Sequence, residues 1–366
     1  MRVAIVGASG NVGTALLRRL AVDATVTSVV GVVRRPPPQR AVDQRLLPPP
    51  YDRAEWVGLD IAAPGPDAPV VDRLARVLAG ADAVVHLAWA LHPSHDRSAL
   101  RHTNVTGSRR VAEATVRAGV PHLVAASSVG TYSPAADEEP RDENWPTEGV
   151  RSSSYSVDKV ALERLLDEVE QRHPELTVAR VRSALVFQHS AARQITRNFL
   201  GRLVPSRRLD EELPVLPWPR GLRLQAVHAD DVAQAYREIV VRRQRGGFNV
   251  AADDVVRGDE LARLLAGGRL REVEPAAART ALAAAWTARL VPMGPGWLDL
   301  AMTVPVLDSS RARDKLRWAP TRTTTASLAE LLAGIAEGAG TASPALRPRR
   351  GTAPVTGWPA WARPGG

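Results

Sequence analysis

The sequence contains no cysteine, which excludes disulfides, thiolate nucleophiles and Cys-ligated metals and suits a reducing compartment. Lysine is almost as scarce. Of the 48 Lys and Arg residues, only Lys159 and Lys315 are lysines. Aromatic residues make up just 4% of the chain. No uninterrupted apolar run reaches the length of about 18 residues at which a membrane helix becomes a candidate. The nearest stretch, 281–307, is interrupted by Arg289, Asp299 and three prolines. The apolar run at the start, Val3 to Val6, ends in a glycine turn and is too short for a secretory signal. These absences predict a soluble, cytoplasmic protein with no membrane partner.

What is present suffices for a folded, enzyme-sized protein. The 366 residues are 45% hydrophobic, which leaves room for one large two-lobed unit or two domains. A net charge of +9 ordinarily points to nucleic acid or an anionic surface. Here arginine replaces lysine throughout, beside abundant Ala, Gly, Pro and Val, which reads as a coding bias rather than a binding stripe. Part of the charge belongs to 338–366, which carries Arg347, Arg349, Arg350 and Arg363 and no acid. No helix-turn-helix, zinc or RNA-binding signature accompanies it, so no nucleic-acid partner is expected.

The first half alternates short β-branched runs with amphipathic stretches, the pattern of βαβ units on a parallel sheet. RVAIVG, VTSVVGVVR, AEWVGLD, ADAVVHLAW and HLVAASS read as successive strands, nearly apolar throughout as a sheet covered on both faces requires. LTVARVRSALVF follows as one further strand. Helices are expected at NVGTALLRRLA, NVTGSRRVAEATVRAG and SSSYSVDKVALERLLDEVEQRH. The fold class is therefore α/β, a doubly wound parallel sheet with a smaller, interleaved C-terminal lobe. Residues 1–186 plus about 225–255 are assigned to the sheet domain, and about 187–224 and 256–337 to the second lobe. The pattern is clear again at QAVHADDVAQAYREIV and GGFNVA and loosens after them. The segment 338–366 lacks periodicity and is expected to be a disordered tail.

GASGNVG sets Gly7, Gly10, Asn11, Val12 and Gly13 at the junction of the first strand and first helix. Glycines there permit a tight turn and close backbone approach, leaving free N–H groups and the positive helix end for a pyrophosphate. Ala8 stands where the dinucleotide fingerprint G-x-G-x-x-G has its first glycine, so the motif is a variant. About 20 residues on, where an acid would meet an NAD ribose, the chain has Arg34 and Arg35. Arginine suits a 2′-phosphate and favours NADP, although arginine is common in this chain and NAD stays open. Asp60, with Ile61 beside it after the third strand, is placed to meet the adenine edge or is a solvated loop acid.

Tyr155 and Lys159 stand four apart on the long helix, on one face with Cβ atoms about 5–6 Å apart. A phenol of pKa near 10 needs about 4 kcal/mol of preferential phenolate stabilisation to act as a base at neutral pH. A unit positive charge about 5.5 Å away at an effective dielectric of 20 offers about 3 kcal/mol. A compact ammonium with three rotatable donors also reaches ribose hydroxyls, which a planar guanidinium does less well. That gives a reason for lysine in an arginine-rich chain.

With GASGNVG, Asp60, VVHLAW, Asn104 in NVTGS, AASSVGTYS, the Tyr155/Lys159 pair, VHADDVAQA, FNVA and SSRARDKLRWAP, the chain resembles an extended short-chain dehydrogenase/reductase of the NAD-dependent epimerase/dehydratase family over roughly residues 1–337. The resemblance implies a Rossmann fold and an NAD(P)-dependent oxidoreductase. It implies Tyr155 as general acid/base, Ser128, or less readily its neighbour Ser127, on the substrate oxygen, and Lys159 on the nicotinamide ribose, depressing the Tyr155 pKa. Asn104 would position its helix and a relay water, and Leu87 and Ala88 would lie along the cofactor. A small molecule is the implied substrate, and a homodimer through the Tyr155 helix is common in such a family.

The chain departs from the family at Arg182-Ser183, where Arg-Pro is common, and at Gln188, where Gly is. QITRNFLGRLVPSRRLDEELPVLPWPRG does not align with the uridine- and pyrophosphate-binding segments of sugar-nucleotide members, and SVGTYS lacks the added acid/base pair of their dehydratases. Hydride transfer to or from a carbonyl or secondary alcohol is thus favoured over epimerisation or dehydration. A cofactor-sensing module without turnover is the remaining alternative. Arg193, Arg197, Arg202, Arg207 and Arg208 read as an anion site or a solvated face. Trp89, His92 and His95 are placed to line the substrate mouth, and no metal site is expected. His228 and Asp230 read as structural hydrogen-bonders.

Overall fold

The computed structural model describes residues 1–91, 95–200 and 213–347. Its strands are β1 (Arg2–Val6), β2 (Ser28–Val33), β3 (Glu55–Gly58), β4 (Ala83–His86), β5 (His122–Ala126), β6 (Thr177–Ser183), β7 (Leu185–Phe187), β8 (Leu216–Pro219), β9 (Ala226–His228), β10 (Gly246–Val250) and β11 (Leu270–Val273). Seven of them form one parallel sheet in the order β10-β6-β5-β4-β1-β2-β3. Alternate residues of β1 serve opposite cores: Val3 and Ile5 enter one, Ala4 and Val6 the other. That period of two explains why the strand is apolar at every position.

The helices are α1 (Asn11–Ala21), α2 (Gln39–Asp43), α3 (Asp67–Leu78), α4 (Arg97–Arg101), α5 (Gly107–Arg117), α6 (Ser154–Arg172), α7 (Ala192–Ile195), α8 (Ala229–Val241), α9 (Gly258–Leu265), α10 (Pro275–Thr287), α11 (Pro295–Thr303), α12 (Ser310–Leu316) and α13 (Thr324–Glu337). Leucines of α1, with α8 and α12, cover one sheet face. Helices α3, α5 and α6 cover the other. This is the doubly wound α/β arrangement expected from the alternating pattern. The strand order reverses between β1 and β4, so the chain leaves these neighbours toward opposite faces and a crevice opens at their C-terminal ends.

A smaller core gathers Phe187, Leu216, Val256, Leu261, Leu328 and Leu331, drawn from stretches far apart in the chain. The single strand expected over 176–187 is instead two. Ala184 N–H still bonds Val250 O at 3.1 Å, but Leu185 N–H turns to Gln225 O at 3.2 Å. β7 thereby leaves the sheet and pairs with β9. Both halves are apolar, so periodicity could not mark the change of partner. The stretch after 256, expected to be loose, carries α9 to α13.

The expected disordered tail begins differently too. Past α13, Ala342 and Leu346 are buried at 7% and 0% exposure, and Thr341 Oγ1 lies 2.7 Å from the Tyr51 hydroxyl. Residues 348–366 lie outside the described residues. Among the described residues no helix is long and apolar enough to cross a membrane.

Candidate active site

At the β1–α1 turn the three glycines are constrained differently. Gly7 has φ +98°, and an added Cβ would lie 2.6 Å from Ala88 N and 2.8 Å from Leu87 C. A Cβ on Gly13 would lie 2.5 Å from Gly7 O. On Gly10 it would meet only Gly7 O, at 3.5 Å. The turn therefore leaves one glycine face open. It opens at the start of α1, which has no side-chain cap and no acid in its first turn. Uncapped N–H groups at a positive helix end beside bare backbone fit the pyrophosphate of a dinucleotide.

The neighbouring side chains brace this turn. Asn11 Nδ2 donates to Val186 O at 3.0 Å, and its Oδ1 accepts from Gln188 Nε2 at 2.6 Å. Gln188 also accepts from Arg18 Nη2 at 2.8 Å, so this departure from the family pattern ties α1 to the chain beyond β7. Val12 packs against the first core, and Leu87 N–H bonds Val6 O at 2.8 Å. Ser343 Oγ donates to Ser9 O at 2.5 Å, which straps the segment after α13 to the turn. Arg34 and Arg35 stand exposed just past β2. Asp60 Oδ1 accepts from Ala62 N–H at 2.9 Å, and Ile61 is buried in the second core.

Across the crevice, Ser153 caps α6 by accepting from Ser156 N–H at 3.4 Å. Lys159 Nζ lies 5.9 Å from the Tyr155 ring centre, in keeping with the helical spacing. The Ser128 hydroxyl lies close enough to the Tyr155 phenol to lower its pKa and accepts from Gly130 N–H at 3.0 Å. Ser127 points elsewhere, donating to Glu163 Oε1 at 2.5 Å. Glu163 in turn holds Arg182 through two contacts of 3.0 Å. Lys159 Nζ donates to Ala126 O at 2.7 Å and lies 3.5 Å from the Trp89 ring centre.

Burial dominates the electrostatics of this pair. It pushes the Tyr155 phenol up to about 12, against the Ser128 hydroxyl, which lowers it. It pushes the Lys159 ammonium down to about 7, against the pull of Glu163 and Asp158. The expectation that Lys159 depresses the Tyr155 pKa is not met. The lost hydration of a buried phenolate outweighs an ammonium that is itself poorly solvated. At neutral pH the phenol is protonated.

Asn104 lies in the π-helical turn His102–Thr106 between α4 and α5. Its Oδ1 accepts from Ala90 N–H at 2.7 Å, and its Nδ2 reaches Ala90 O and Asp158 Oδ2, both at 3.3 Å. Asp158 is buried and bound by both Arg97 terminal nitrogens, at 2.8 and 2.5 Å. Asn104 thus fastens the segment after β4 to the helix that carries Tyr155.

Beside Tyr155 opens a cavity of about 240 Å³. The Tyr155 ring centre lies 4.9 Å from that of Trp297 and 6.2 Å from that of Trp89. Phe199 meets Trp297 edge-on at 5.5 Å, and His95 stacks on Trp286 at 3.8 Å. Sequence reasoning reached Trp89 and His95 but missed Trp286, Trp297 and Asn198. The available signal was the tryptophan of the Gly-Pro-Gly-Trp run in a chain only 4% aromatic. A Cβ on Gly296 would collide with Ser152 O, so α11 starts directly against the start of α6 and brings Trp297 to Tyr155.

Arg197 lies near Arg193, and partial desolvation of its guanidinium together with that neighbour lowers its pKa. His92, Arg202, Arg207 and Arg208 lie outside the described residues. His228 caps α8 and meets Glu330 of α13 at 3.1 Å, joining the two lobes. Among the described residues no group of His, Asp or Glu is arranged to hold a metal ion.

Comparison with known proteins agrees with this arrangement. The model of the NAD dependent epimerase/dehydratase family matches residues 3–251. The chain belongs to that family. Its members are NAD-dependent enzymes, and the sheet described above is their Rossmann-like fold. Uncharacterized proteins of Mycobacterium tuberculosis and Mycobacterium bovis are 24% identical over 260 residues, 69% of this chain and 63% of theirs. The match thus spans less than two thirds of those relatives. Among solved structures, the dTDP-glucose 4,6-dehydratase DesIV of Streptomyces venezuelae, with NAD and TYD bound, has a TM-score of 0.65 at 20% identity, covering 91% of this chain and 96% of that one. The UDP-glucuronic acid 4-epimerase of Bacillus cereus in complex with NAD has a TM-score of 0.63 at 16% identity, covering 92% and 98%. At these identities the likeness is one of fold.

Proposed function

We propose that this member of the family is an oxidoreductase that reduces a carbonyl compound to the alcohol, or runs the reverse reaction, with NADP preferred to NAD. The observation that carries it is the convergence of Ser128, Tyr155 and Lys159 at the crevice. A bound nicotinamide dinucleotide supplies the hydride. Gly7, Gly10, Asn11, Val12 and Gly13 hold its pyrophosphate, with Leu87, Ala88, Asp60 and Ile61 along its length. Arg34 and Arg35 support the preference for a 2′-phosphate. Lys159 would meet the ribose hydroxyls. Ser128 orients the substrate oxygen, Tyr155 moves its proton, and Asn104 is a positioning residue. A phenol held up to about 12 starts protonated, which favours donation to a carbonyl oxygen.

A sugar-nucleotide epimerase or dehydratase is the second reading, favoured by what the similar structures carry: NAD with UDP-glucuronic acid in one, NAD with TYD in another. A cofactor-binding sensor is the third, and a site that keeps its phenol and ammonium argues against it. The test is NADPH oxidation against a panel of carbonyl compounds with wild-type protein and Tyr155→Phe. Loss of the proton donor is expected to lower kcat about 10²- to 10⁴-fold with NADPH binding retained. Tight NADPH binding with no turnover of any compound would favour the sensor, and equal rates in the two proteins would remove Tyr155 from the chemistry.

A further inference from the structure

Of the nine tryptophans in the chain, two line the cavity beside Tyr155, Trp286 in α10 and Trp297 in α11, and a third, Trp89 after β4, meets the Tyr155 ring from a segment about two hundred residues away. Composition does not explain such a gathering in a chain that is 4% aromatic. Trp297 and Trp89 stand at 4.9 and 6.2 Å from the Tyr155 ring, within the range of about 4.5–7 Å in which aromatic rings attract one another. The Trp89 indole N–H is buried without an acceptor, an unclaimed donor in the same aromatic group. Leu91, Leu100, Pro292 and Pro295 supply further apolar wall.

Charge and size point the same way. Among the described residues the only charged side chain lining the cavity is an acid, Asp158. Its neighbours Arg97 and Arg101 are tied to it, at 2.5 and 3.5 Å. A ligand with a pyrophosphate would bring negative charge to a wall that, among the described residues, presents no uncommitted cation. The volume of about 240 Å³ also falls below the roughly 300–1,000 Å³ of sites for drug-sized ligands.

We infer that the cleft takes a neutral, flat carbonyl compound of about one aromatic ring, held against Trp297 with its oxygen at the Tyr155 and Ser128 hydroxyls. This deepens, and rests on, the carbonyl-reductase reading. In the reaction the carbonyl carbon takes a hydride from the reduced nicotinamide dinucleotide, the C=O π bond opens, and the oxygen takes the Tyr155 proton. The phenolate is then reprotonated from solvent and the dinucleotide is left oxidised.

The test titrates the protein with acetophenone and with UDP-glucose by calorimetry, with and without NADP, and measures NADPH oxidation with both. Acetophenone is expected to bind and be reduced, and UDP-glucose to do neither. Trp297→Ala is expected to raise the KM for acetophenone roughly ten- to hundredfold with NADPH affinity unchanged, and Trp297→Phe to keep most of the wild-type value. Should Trp297→Ala fail to fold, the Phe variant and the two-ligand comparison on wild-type protein decide. Binding of UDP-glucose but not acetophenone, binding of neither, or an unchanged KM in the Trp297 variants overturns the inference. If NADPH binds and a different substrate is turned over, only the substrate class falls. Absence of NADPH binding sinks the underlying function with it.

Discussion

Two glycines of one turn should respond to the same substitution in opposite ways. In Gly7→Ala the new methyl must sit at φ +98° and 2.6 Å from the Ala88 nitrogen, against backbone that cannot swing aside. Left-handed strain and overpacking together cost about 2–5 kcal/mol. An unfolding entropy of about 2.1 cal/mol/K per residue gives about 0.8 kcal/mol/K for a chain of this length, so Tm should fall by about 3–6 °C. Gly10 has φ −80°, which alanine adopts freely, and its new methyl meets only Gly7 O at 3.5 Å. Replacing Gly by Ala at a helix N-cap costs less than about 1 kcal/mol, so Gly10→Ala should melt within about 1–2 °C of wild type. Its methyl would instead occupy the face left for phosphate. Losing one charge-assisted hydrogen bond there, about 1.5–3 kcal/mol, weakens NADPH binding roughly ten- to hundredfold. Differential scanning fluorimetry and calorimetric NADPH titration on both variants check this. If Gly10→Ala melts as early as Gly7→Ala, or binds NADPH like wild type, the proposed cradle is wrong.

Three further outcomes are expected. The double variant Arg34→Ala/Arg35→Ala should raise the KM for NADPH by about tenfold or more while leaving that for NADH within about twofold; equal changes for both cofactors would show that no 2′-phosphate is met there. Lys159 is pushed down to about 7, so its ammonium is lost as the pH rises through that value. The kcat/KM for carbonyl reduction should therefore decline between about pH 6 and 8, and Lys159→Arg, charged throughout, should abolish that inflection at a lower overall rate; a wild-type profile flat over this interval would contradict the assignment. Leu346, fully buried, should cost about 2–5 kcal/mol when changed to Ala, seen as a lower urea midpoint at constant slope. An unchanged midpoint would return the segment after α13 to the status of a loose tail.

What could be read from the chain alone was local. The turn at Gly7 to Gly13, the doubly covered strands and the one-turn spacing of Tyr155 and Lys159 depend on neighbours within about a dozen residues, where backbone geometry and side-chain period determine the outcome. Tertiary structure decided the rest. Ser127 and Ser128 are adjacent and chemically alike, and only the placement of Glu163 turns one of them away from Tyr155. Trp297 reaches the cleft because Gly296 lets α11 touch Ser152, and Ser343 reaches Ser9 from more than three hundred residues away. The titration of Tyr155 belongs with these. Helical spacing specified the charge beside the phenol, but the burial that overrides that charge comes from the packing of distant segments around it.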